Sequence, residues 1–354
     1  MTAAYTIPVS VLTGYLGSGK TTLLQRLLDS PAGAGAAVLI NEFGEIGLDH
    51  LLVRPMSGPA VVLQNGCICC TVRSDLRSGL RDLIDARDKG EIPAFDRILV
   101  ETTGLADPVP IVQTLVTDPM LRHQMHLANL ISTVDGRNAM SQLSSYREAM
   151  RQVALSDRLA LTKGDLCEEE GIASLRTKLY ELNPTATLVD TRHCNDIWKA
   201  LLGTDADDVF QGYQRTIERL SVHEAGLNSN VARAGSEGAS RHDHTIRSFA
   251  VRTDRTIDWT AFAVWLSALV HRHGSKLLRV KGLLNVQGAD GPLVLNAVQS
   301  FVHPPVHLHE WPTEDHSSRL IFIVDGLDPA LVRMSLARTL DGAAATSGTV
   351  RVLA

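Results

Sequence analysis

The segment Gly14-Tyr15-Leu16-Gly17-Ser18-Gly19-Lys20-Thr21 matches the pattern G-x-x-x-x-G-K-[ST], a glycine-rich loop that surrounds phosphate groups. An apolar run at residues 7–12 precedes it, and a leucine-rich run at residues 22–28 follows it. The first run predicts a buried strand and the second an amphipathic helix. Because the motif requires a strand before it and a helix after it, we favour a phosphate-binding loop over a chance glycine turn.

The residues of this loop have chemically distinct roles. The glycines allow backbone N–H groups to close around phosphate oxygens at the positive end of the helix dipole. Lys20 can reach the β- and γ-phosphates, and Thr21 offers a hydroxyl to Mg²⁺. The nucleotide-binding residues predicted in this segment are Gly14, Gly17, Ser18, Gly19, Lys20, Thr21 and Thr22.

The composition is that of a globular protein. The 354 residues are enough for two domains, with 44 % hydrophobic and 21 % charged residues. A net charge of −5 argues against a nucleic-acid binder, which needs a basic surface. We recognise neither a signal peptide nor an apolar stretch long enough to span a bilayer. We therefore expect a cytoplasmic protein that binds neither nucleic acid nor membrane.

Short apolar runs alternate with helical patterns through residues 1–221. This alternation predicts an α/β fold with a mostly parallel sheet, in which ligands bind at the carboxyl ends of the strands. Two longer helices are predicted at residues 72–89 and 168–182. The predicted strands are at residues 7–12, 36–40, 60–63, 97–100, 127–134, 158–161 and 186–189.

Small and polar residues at 222–244 predict a flexible linker between two domains. His223, His242 and His244 lie in it, either as a metal-loading tract or as solvated linker residues. Residues 245–354 then predict a smaller α+β domain of order β-α-β-β-β-α. Its strands are expected at residues 248–251, 277–286, 292–302 and 319–324, and its helices at 258–271 and 329–340.

Glu101-Thr102-Thr103-Gly104 follows the predicted strand 97–100. An acidic residue at such a strand end, opposite the phosphate loop, can organise Mg²⁺ or the attacking water. Glu101 and Lys20 are therefore the predicted catalytic residues, and the Gly104 N–H can sense a γ-phosphate. The alternative is that Glu101 only caps a helix.

Thr162-Lys163-Gly164-Asp165 follows the predicted strand 158–161. A carboxylate at Asp165 can accept hydrogen bonds from both N1–H and N2–H₂ of guanine, a donor pair that adenine lacks. The aliphatic part of Lys163 can lie along the base. GTPases usually carry asparagine where this chain has Thr162, so the motif favours guanine without requiring it. The alternative is a plain turn.

Three of the five cysteines lie in Gly66-Cys67-Ile68-Cys69-Cys70, which is no disulfide framework. As thiolates, Cys67, Cys69 and Cys70 suit Zn²⁺ above all. The acidic segment 41–45 can supply a fourth ligand. Buried structural cysteines and a redox dithiol remain alternatives.

The alternation of His303, His307 and His309 puts these side chains on one face of an extended segment. Contact with a metal is one interpretation of this segment, and a surface strand is the favoured one.

The chain resembles the CobW-like P-loop GTPases, a metal-handling family related to nickel-insertion GTPases. The resemblance rests on GYLGSGKTT, VLINEFGEIGLD, NGCICC, ETTGLADP and LTKGD, and on KLLRVKG at 276–282 in the second domain. It therefore covers nearly the whole chain, with C-x-C-C as its most specific element. The chain departs from the family in Thr162 and in lacking the long histidine run of some members.

The resemblance implies GTP hydrolysis coupled to delivery of a transition metal to a client protein. Cys67, Cys69 and Cys70 would bind the cargo, with Glu45 as an oxygen ligand, and the cargo would be Zn²⁺, Co²⁺ or Fe²⁺. The implied cofactors are GTP or GDP and Mg²⁺. The client metalloprotein would dock through the C-terminal domain, and a dimer is left open. A nucleotide-independent zinc or redox sensor and a P-loop small-molecule kinase are the alternatives.

Overall fold

A computed structural model describes residues 6–42, 60–64, 71–203 and 246–343. The chain divides into two compact units, the first Met1–Lys178 with Ala186–Thr204 and the second Leu179–Thr185 with Asp205–Ala354. The predicted domain boundaries at 221/222 and 244/245 lie outside the described residues and remain predictions. No helix within the described parts combines the length and apolar character needed to cross a membrane.

The first unit contains a seven-stranded sheet of order β3-β2-β4-β1-β5-β6-β7, in which every neighbouring pair is parallel. The predicted α/β fold is confirmed, and each predicted strand is present. Residues 9–14 of the central strand β1 are all buried, so this strand is covered on both faces. The strands are β1 (Ile7–Gly14), β2 (Ala36–Glu42), β3 (Ala60–Gln64), β4 (Arg97–Thr102), β5 (Met125–Asp135), β6 (Arg158–Thr162) and β7 (Thr187–Asp190).

Eight α-helices are described in the connections and flanks of this sheet. The two predicted long helices are observed with their bounds shifted by one residue at most. The other six span four to nine residues, too few turns for the apolar period to identify a helix. The helices are α1 (Lys20–Leu28), α2 (Thr71–Asp88), α3 (Val109–Thr117), α4 (Leu121–Gln124), α5 (Ala139–Ser145), α6 (Arg147–Leu155), α7 (Glu169–Leu182) and α8 (Ile197–Leu202).

The strand register brings several carboxyl ends to one edge of the sheet. Glu101 of β4 pairs with Leu12 of β1 and with Ile40 of β2. Glu42 of β2 in turn pairs with Gln64, the last residue of β3. The chain segments that leave β1, β2, β3 and β4 therefore all start at the same edge.

The second unit has an antiparallel sheet of order β11-β10-β9-β13-β8, with β12 paired to β10. The predicted β-α-β-β-β-α order is confirmed, with two short strands added. Asp258 caps the first helix, and its carboxylate accepts a hydrogen bond of 2.9 Å from the Ala261 N–H. The elements are β8 (Ile246–Thr253), α9 (Trp259–His273), β9 (Leu277–Leu284), β10 (Leu293–Val298), β11 (Phe301–Val302), β12 (Val306–His307), β13 (Ser318–Asp325) and α10 (Pro329–Ala343).

One predicted strand, residues 292–302, is instead a hairpin. β10 ends at Val298, and Phe301 begins β11, which pairs back with Ala297↔Val302 in register. Gln299 turns the chain with a φ of 51°, a left-handed conformation that glutamine rarely adopts. The turn consists of Gln299 and Ser300 and contains no glycine, asparagine or aspartate, so the sequence carries only the weak turn signal of one serine.

The segment with three histidines is only partly a strand. β12 contains His307, while Pro304 and Pro305 separate it from β11. The His303 ring packs edge-on against Phe301 at 5.4 Å between centroids. Within the described ranges, no three His, Cys, Asp or Glu side chains form a group that could hold a metal.

Candidate nucleotide-binding site

The phosphate-binding loop connects the end of β1 at Gly14 to the start of α1 at Lys20. Gly14, Gly17 and Gly19 have φ angles of 143°, 70° and 90°. A Cβ atom on Gly14 would lie 2.1 Å from Thr133 Oγ1 and 2.8 Å from Ser18 Oγ. The loop therefore closes so tightly on itself that only glycine fits at its start.

The amino end of α1 is suited to an anion. Gly19 is the N-cap and has no side chain to bond the first-turn N–H groups, and that turn contains no acidic residue. Orphan N–H groups and the positive end of the helix dipole therefore face the loop. Thr22, exposed in the first turn of α1, lies beside it.

Lys20 folds back over the loop. Its Nζ donates hydrogen bonds to the carbonyl oxygens of Gly14 at 3.0 Å and Tyr15 at 3.3 Å. Ser18 does not face solvent, because its buried hydroxyl bonds Thr133 Oγ1 at 2.6 Å. The ammonium group is thus positioned at the loop by backbone contacts, and Ser18 stabilises the loop from within.

Thr21 and Glu101 lie side by side. The Thr21 hydroxyl donates a 2.8 Å hydrogen bond to Glu101 Oε1, and Glu101 is almost completely buried at the end of β4. Next to them, Thr102 Oγ1 donates to Thr13 Oγ1 of β1 at 3.0 Å. A hydroxyl and a carboxylate oxygen converging at the foot of a phosphate loop are the hard ligands that Mg²⁺ prefers, so these residues fit that ion.

The loop that contains Gly104 packs directly against the phosphate loop. A Cβ on Gly104 would lie 2.8 Å from both the N and the Cα of Leu16, so this approach requires glycine. Gln152 of α6 donates from Nε2 to the carbonyl oxygens of Gly104 and Ala106, both at 3.1 Å. The Gly104 loop is therefore held between the phosphate loop and α6.

α6 also reaches the phosphate loop at its amino end. Tyr146, the N-cap of α6, stacks on Tyr15 with ring centroids 4.8 Å apart and planes 24° from parallel. Burial raises the pKa of the Tyr15 phenol, with a further contribution from Tyr146. Tyr15 is consequently neutral at physiological pH, and its ring anchors the loop through stacking.

The turn after β6 is tied to the phosphate loop by two side chains. The buried Thr162 hydroxyl lies 2.7 Å from the Ser18 carbonyl oxygen and 3.1 Å from that of Val134. Lys163, in the left-handed region with φ 53°, donates from Nζ to the Gly17 carbonyl oxygen at 2.6 Å. The Thr162 hydroxyl is thus engaged within the protein.

A cavity of about 610 Å³ opens between this turn and the phosphate loop. Asp165 lies in a short 3₁₀ helix, Gly164–Leu166, and its exposed side chain is part of the cavity wall. The site thus places a carboxylate beside a space next to the phosphate loop. The other lining residues include Gly19, Thr22, Thr162, Lys163 and Arg192.

Asp135 at the end of β5 supports the turn, and the motif search missed it. Its buried carboxylate accepts hydrogen bonds from Lys163 Nζ at 2.8 Å and from Asn138 Nδ2 at 3.0 Å. Burial alone would raise the pKa of Asp135, but the hydrogen bonds from Lys163 and Asn138 outweigh it and lower the pKa. An acidic residue at a strand end was a usable signal, as it was for Glu101.

Asp190 at the end of β7 and Arg192 just beyond it were also missed. Arg192 donates from Nη2 and Nε to the two carboxylate oxygens of Asp190 at 2.8 and 3.1 Å. The hydrogen bonds from Arg192 outweigh the effect of burial and lower the pKa of Asp190 to about 2. Because no local motif surrounds this pair, only its position after a strand could have drawn attention to it.

Four predicted metal ligands, Cys67, Cys69, Cys70 and Glu45, lie outside the described residues. Their flanking elements are described. Glu45 is three residues beyond Glu42 and Cys67 is three residues beyond Gln64, and Glu42 and Gln64 are paired in the sheet. Cys70 immediately precedes α2. Both segments therefore leave the sheet at the edge that carries Glu101.

Comparison with known proteins gives matches over nearly the whole chain. The family "CobW/HypB/UreG, nucleotide-binding domain" matches residues 8–190, and "Cobalamin synthesis protein cobW C-terminal domain" matches residues 246–340. The zinc chaperone YjiA of Escherichia coli K12 is 31% identical over 331 residues, covering 94% of this chain and 98% of that protein.

Two further matches are a relative that covers about half of this chain and a solved structure. Zinc-regulated GTPase metalloprotein activator 1 of Schizosaccharomyces pombe is 34% identical over 194 residues, which is 53% of this chain and 46% of that protein. The crystal structure of Zn(II)-bound YjiA GTPase from E. coli superimposes with a TM-score of 0.67 at 28% identity, covering 94% of this chain and 99% of that one.

The two family matches cover the candidate nucleotide-binding site and the antiparallel unit. The matched nucleotide-binding region contains the phosphate loop, Glu101 and the Thr162–Asp165 turn, and the second match coincides with the antiparallel unit. The predicted resemblance to the CobW-like P-loop GTPases is thereby confirmed, and the chain belongs to the CobW/HypB/UreG family.

Proposed function

We propose that this protein is a GTP-hydrolysing metallochaperone that carries a transition metal to a client protein. Zinc is the metal that we favour. The observation that carries the proposal is the Thr21–Glu101 contact beneath the phosphate loop, at the sheet edge from which the segments with Glu45 and Cys67 extend. Nucleotide chemistry and the candidate cargo ligands thus start from neighbouring strand ends.

GTP binding and hydrolysis would use the loop as follows. The N–H groups of the loop and of α1 hold the phosphates, and Lys20 turns from its carbonyl partners toward the β- and γ-phosphates. Thr21 and Glu101 would hold Mg²⁺, which when bound neutralises charge developing on the phosphate oxygens. Glu101 orients the attacking water, and the Gly104 N–H contacts the γ-phosphate.

Guanine would be selected by Asp165. Its carboxylate borders the cavity beside the phosphate loop and can accept from two donors on guanine, whereas adenine offers no such pair. The hydrophobic stem of Lys163 would lie along the base, and Thr162 keeps the turn against the phosphate loop.

The cargo would be held by the thiolates of Cys67, Cys69 and Cys70, with Glu45 as an oxygen ligand. Zinc is favoured because the relatives bear the names zinc chaperone and zinc-regulated GTPase metalloprotein activator. Co²⁺ and Fe²⁺ also accept thiolate ligands and are the alternative cargoes. The thiols would remain reduced in the cytoplasm, which is the compartment we propose.

We propose further that nucleotide controls the metal site through residues 42–45. With GTP bound this segment closes and completes the thiolate site, and hydrolysis relaxes it so that the metal passes to a client docked on the C-terminal domain. Coupling of this kind is reciprocal: nucleotide changes metal affinity, and metal changes nucleotide affinity by the same factor.

The test is a competition titration of Zn²⁺ and Co²⁺ against a chromophoric chelator. It compares protein with Mg²⁺ and a non-hydrolysable GTP analogue, with Mg²⁺-GDP and without nucleotide. A gain in metal affinity of about tenfold or more with the GTP analogue alone supports the proposal. Cys69→Ser should abolish the gain, and Cys194→Ser, at a half-buried thiol elsewhere in the same unit, should preserve it.

Equal metal affinity in the three nucleotide states would overturn the nucleotide-gated chaperone. The thiols would then act independently of the phosphate loop, as in a zinc or redox sensor. Stoichiometric phosphorylation of a small molecule, with ATP competing for the site, would instead identify a kinase.

A further inference from the structure

Arg192, which follows β7, contacts the turn after β6, although the two lie 28 residues apart in sequence. Its guanidinium is fixed by the paired hydrogen bonds to Asp190 and donates from Nη1 to the Gly164 carbonyl oxygen at 3.1 Å. Only 17% of the side chain is exposed. A planar group bonded on two sides has little freedom to move, so the Gly164 carbonyl is held in one orientation.

The contact is steric as well as polar. A Cβ on Gly164 would lie 2.7 Å from Arg192 Nε and 3.0 Å from Arg192 Cδ. The guanidinium therefore lies directly against the Gly164 Cα, between Lys163 and Asp165. Because Lys163 is in the left-handed region, the turn depends on such contacts to keep its shape.

We propose that Arg192 is a specificity-determining positioning residue, which acts through Gly164 to aim the Asp165 carboxylate at the N1–H and N2–H₂ edge of guanine. This inference rests on the proposed guanine site. Hypoxanthine lacks the N2 amino group, so it offers one donor where guanine offers two. The orientation of Asp165 matters most for the hydrogen bond from guanine N2–H₂. The ratio of the IDP to the GDP dissociation constant measures the strength of that hydrogen bond.

The experiment determines both dissociation constants by displacement of a fluorescent GDP analogue from the full-length protein. In Arg192→Ala the IDP/GDP ratio should fall about tenfold, toward one, because the second charge-assisted hydrogen bond is lost. Arg192→Lys should restore the ratio only in part, since an ammonium cannot form the paired contact. Incompletely folded protein binds neither nucleotide, so misfolding leaves the ratio unchanged.

Arg176→Ala is the matched control. Arg176 Nη2 bonds the same Asp190 carboxylate at 3.1 Å, and the loss of its guanidinium leaves the Arg192–Gly164 hydrogen bond in place. Its IDP/GDP ratio should equal that of the wild type. A ratio that fell as far in Arg176→Ala as in Arg192→Ala would overturn the assignment to Arg192.

Gly164→Ala supplies an independent test. Its added methyl group meets the guanidinium in the wild type and should lower the ratio, whereas in the Arg192→Ala background the clash is absent. The double variant should therefore match Arg192→Ala alone, a non-additive result. Additive losses, or an unchanged ratio in Arg192→Ala, overturn the inference and leave the guanine site standing. Equal affinity for GDP and IDP in the wild type, with ADP binding as tightly, overturns both.

Discussion

Thr162 stands where most GTPases carry asparagine, and its contacts indicate what this position does. Its hydroxyl lies within hydrogen-bond distance of carbonyl oxygens of the phosphate loop and of β5, and its side chain approaches Gly19. A hydroxyl is sufficient to hold the turn against the loop. Because the Thr162 hydroxyl is engaged in these contacts, we expect recognition of the base to rest on Asp165.

Thr21→Ala should impair hydrolysis strongly. It removes the hydroxyl proposed for Mg²⁺ and the hydrogen-bond partner of the buried Glu101 carboxylate. We expect kcat for GTP to fall about 100-fold, the order of magnitude for loss of one preorganised electrostatic group. Phosphate release is the measurement. Thr117→Ala, at an exposed hydroxyl that bonds the Gln113 carbonyl oxygen, should retain wild-type turnover. Turnover within twofold of wild type in Thr21→Ala would contradict this role.

Asp190→Asn should destabilise the protein in a pH-dependent way. The pKa of Asp190 is about 2, below its unfolded value near 3.9, so its charge stabilises the fold fully above about pH 5 and progressively less toward pH 2. The wild type should exceed Asp190→Asn by about 2 kcal/mol in unfolding free energy from pH 5 to 8, with the difference shrinking below about pH 4. Urea unfolding at several pH values measures it, and a difference that changes between pH 5 and 8 would contradict the assignment.

Among the elements, α6 links the phosphate loop to the loop after β4. Tyr146 at its start stacks on Tyr15, and farther along Arg151 bonds Asp107 at 2.9 Å. Gln152 bonds two carbonyl oxygens of the same loop, while its Oε1 is buried with no hydrogen-bond partner among the described residues. One helix therefore sets the distance between the loop that holds phosphate and the loop proposed to sense the γ-phosphate.

Gln152→Leu should slow hydrolysis more than it weakens binding. The substitution keeps the volume and removes both hydrogen bonds to the Gly104 loop. We expect kcat to fall about tenfold, with GDP affinity within threefold of wild type, because GDP has no γ-phosphate for Gly104 to contact. Gln142→Leu on α5, whose side chain is half-buried, controls for loss of an amide. Equal losses in kcat and GDP affinity would mean that Gln152 only stabilises the fold.

The strands could be predicted from the sequence, whereas one turn and several side-chain contacts could not. Strands of the parallel sheet were predicted because each is a short apolar run, and most of these runs are followed by a polar motif at the carboxyl end. The 299–300 turn was missed because Gln299 gives no turn signal. Gln152 and Arg192 were missed because their partners lie 48 and 28 residues away, so only the tertiary fold brings the groups together.

For the molecule as a whole, limited proteolysis tests the predicted linker at 222–244. Trace trypsin should cleave first after Arg233 or Arg241, because a flexible segment of small polar residues fits a protease cleft. The amino-terminal fragment should still bind GDP, since the proposed nucleotide-binding residues belong to the first unit. Mass spectrometry identifies the first cut. Initial cleavage within β1 to β7 would contradict the predicted domain division.

The strand order of the first unit separates the ends of β2 and β3 from the turn that follows β6. Segments after β2 and β3 carry the proposed cargo ligands, while the turn after β6 carries Asp165, and β4, β1 and β5 stand between them. Four strand spacings amount to roughly 19 Å. We therefore expect substitutions at the ends of β2 and β3 to leave base selection unchanged. During evolution, such proteins can therefore change the metal that they carry and keep the same nucleotide preference.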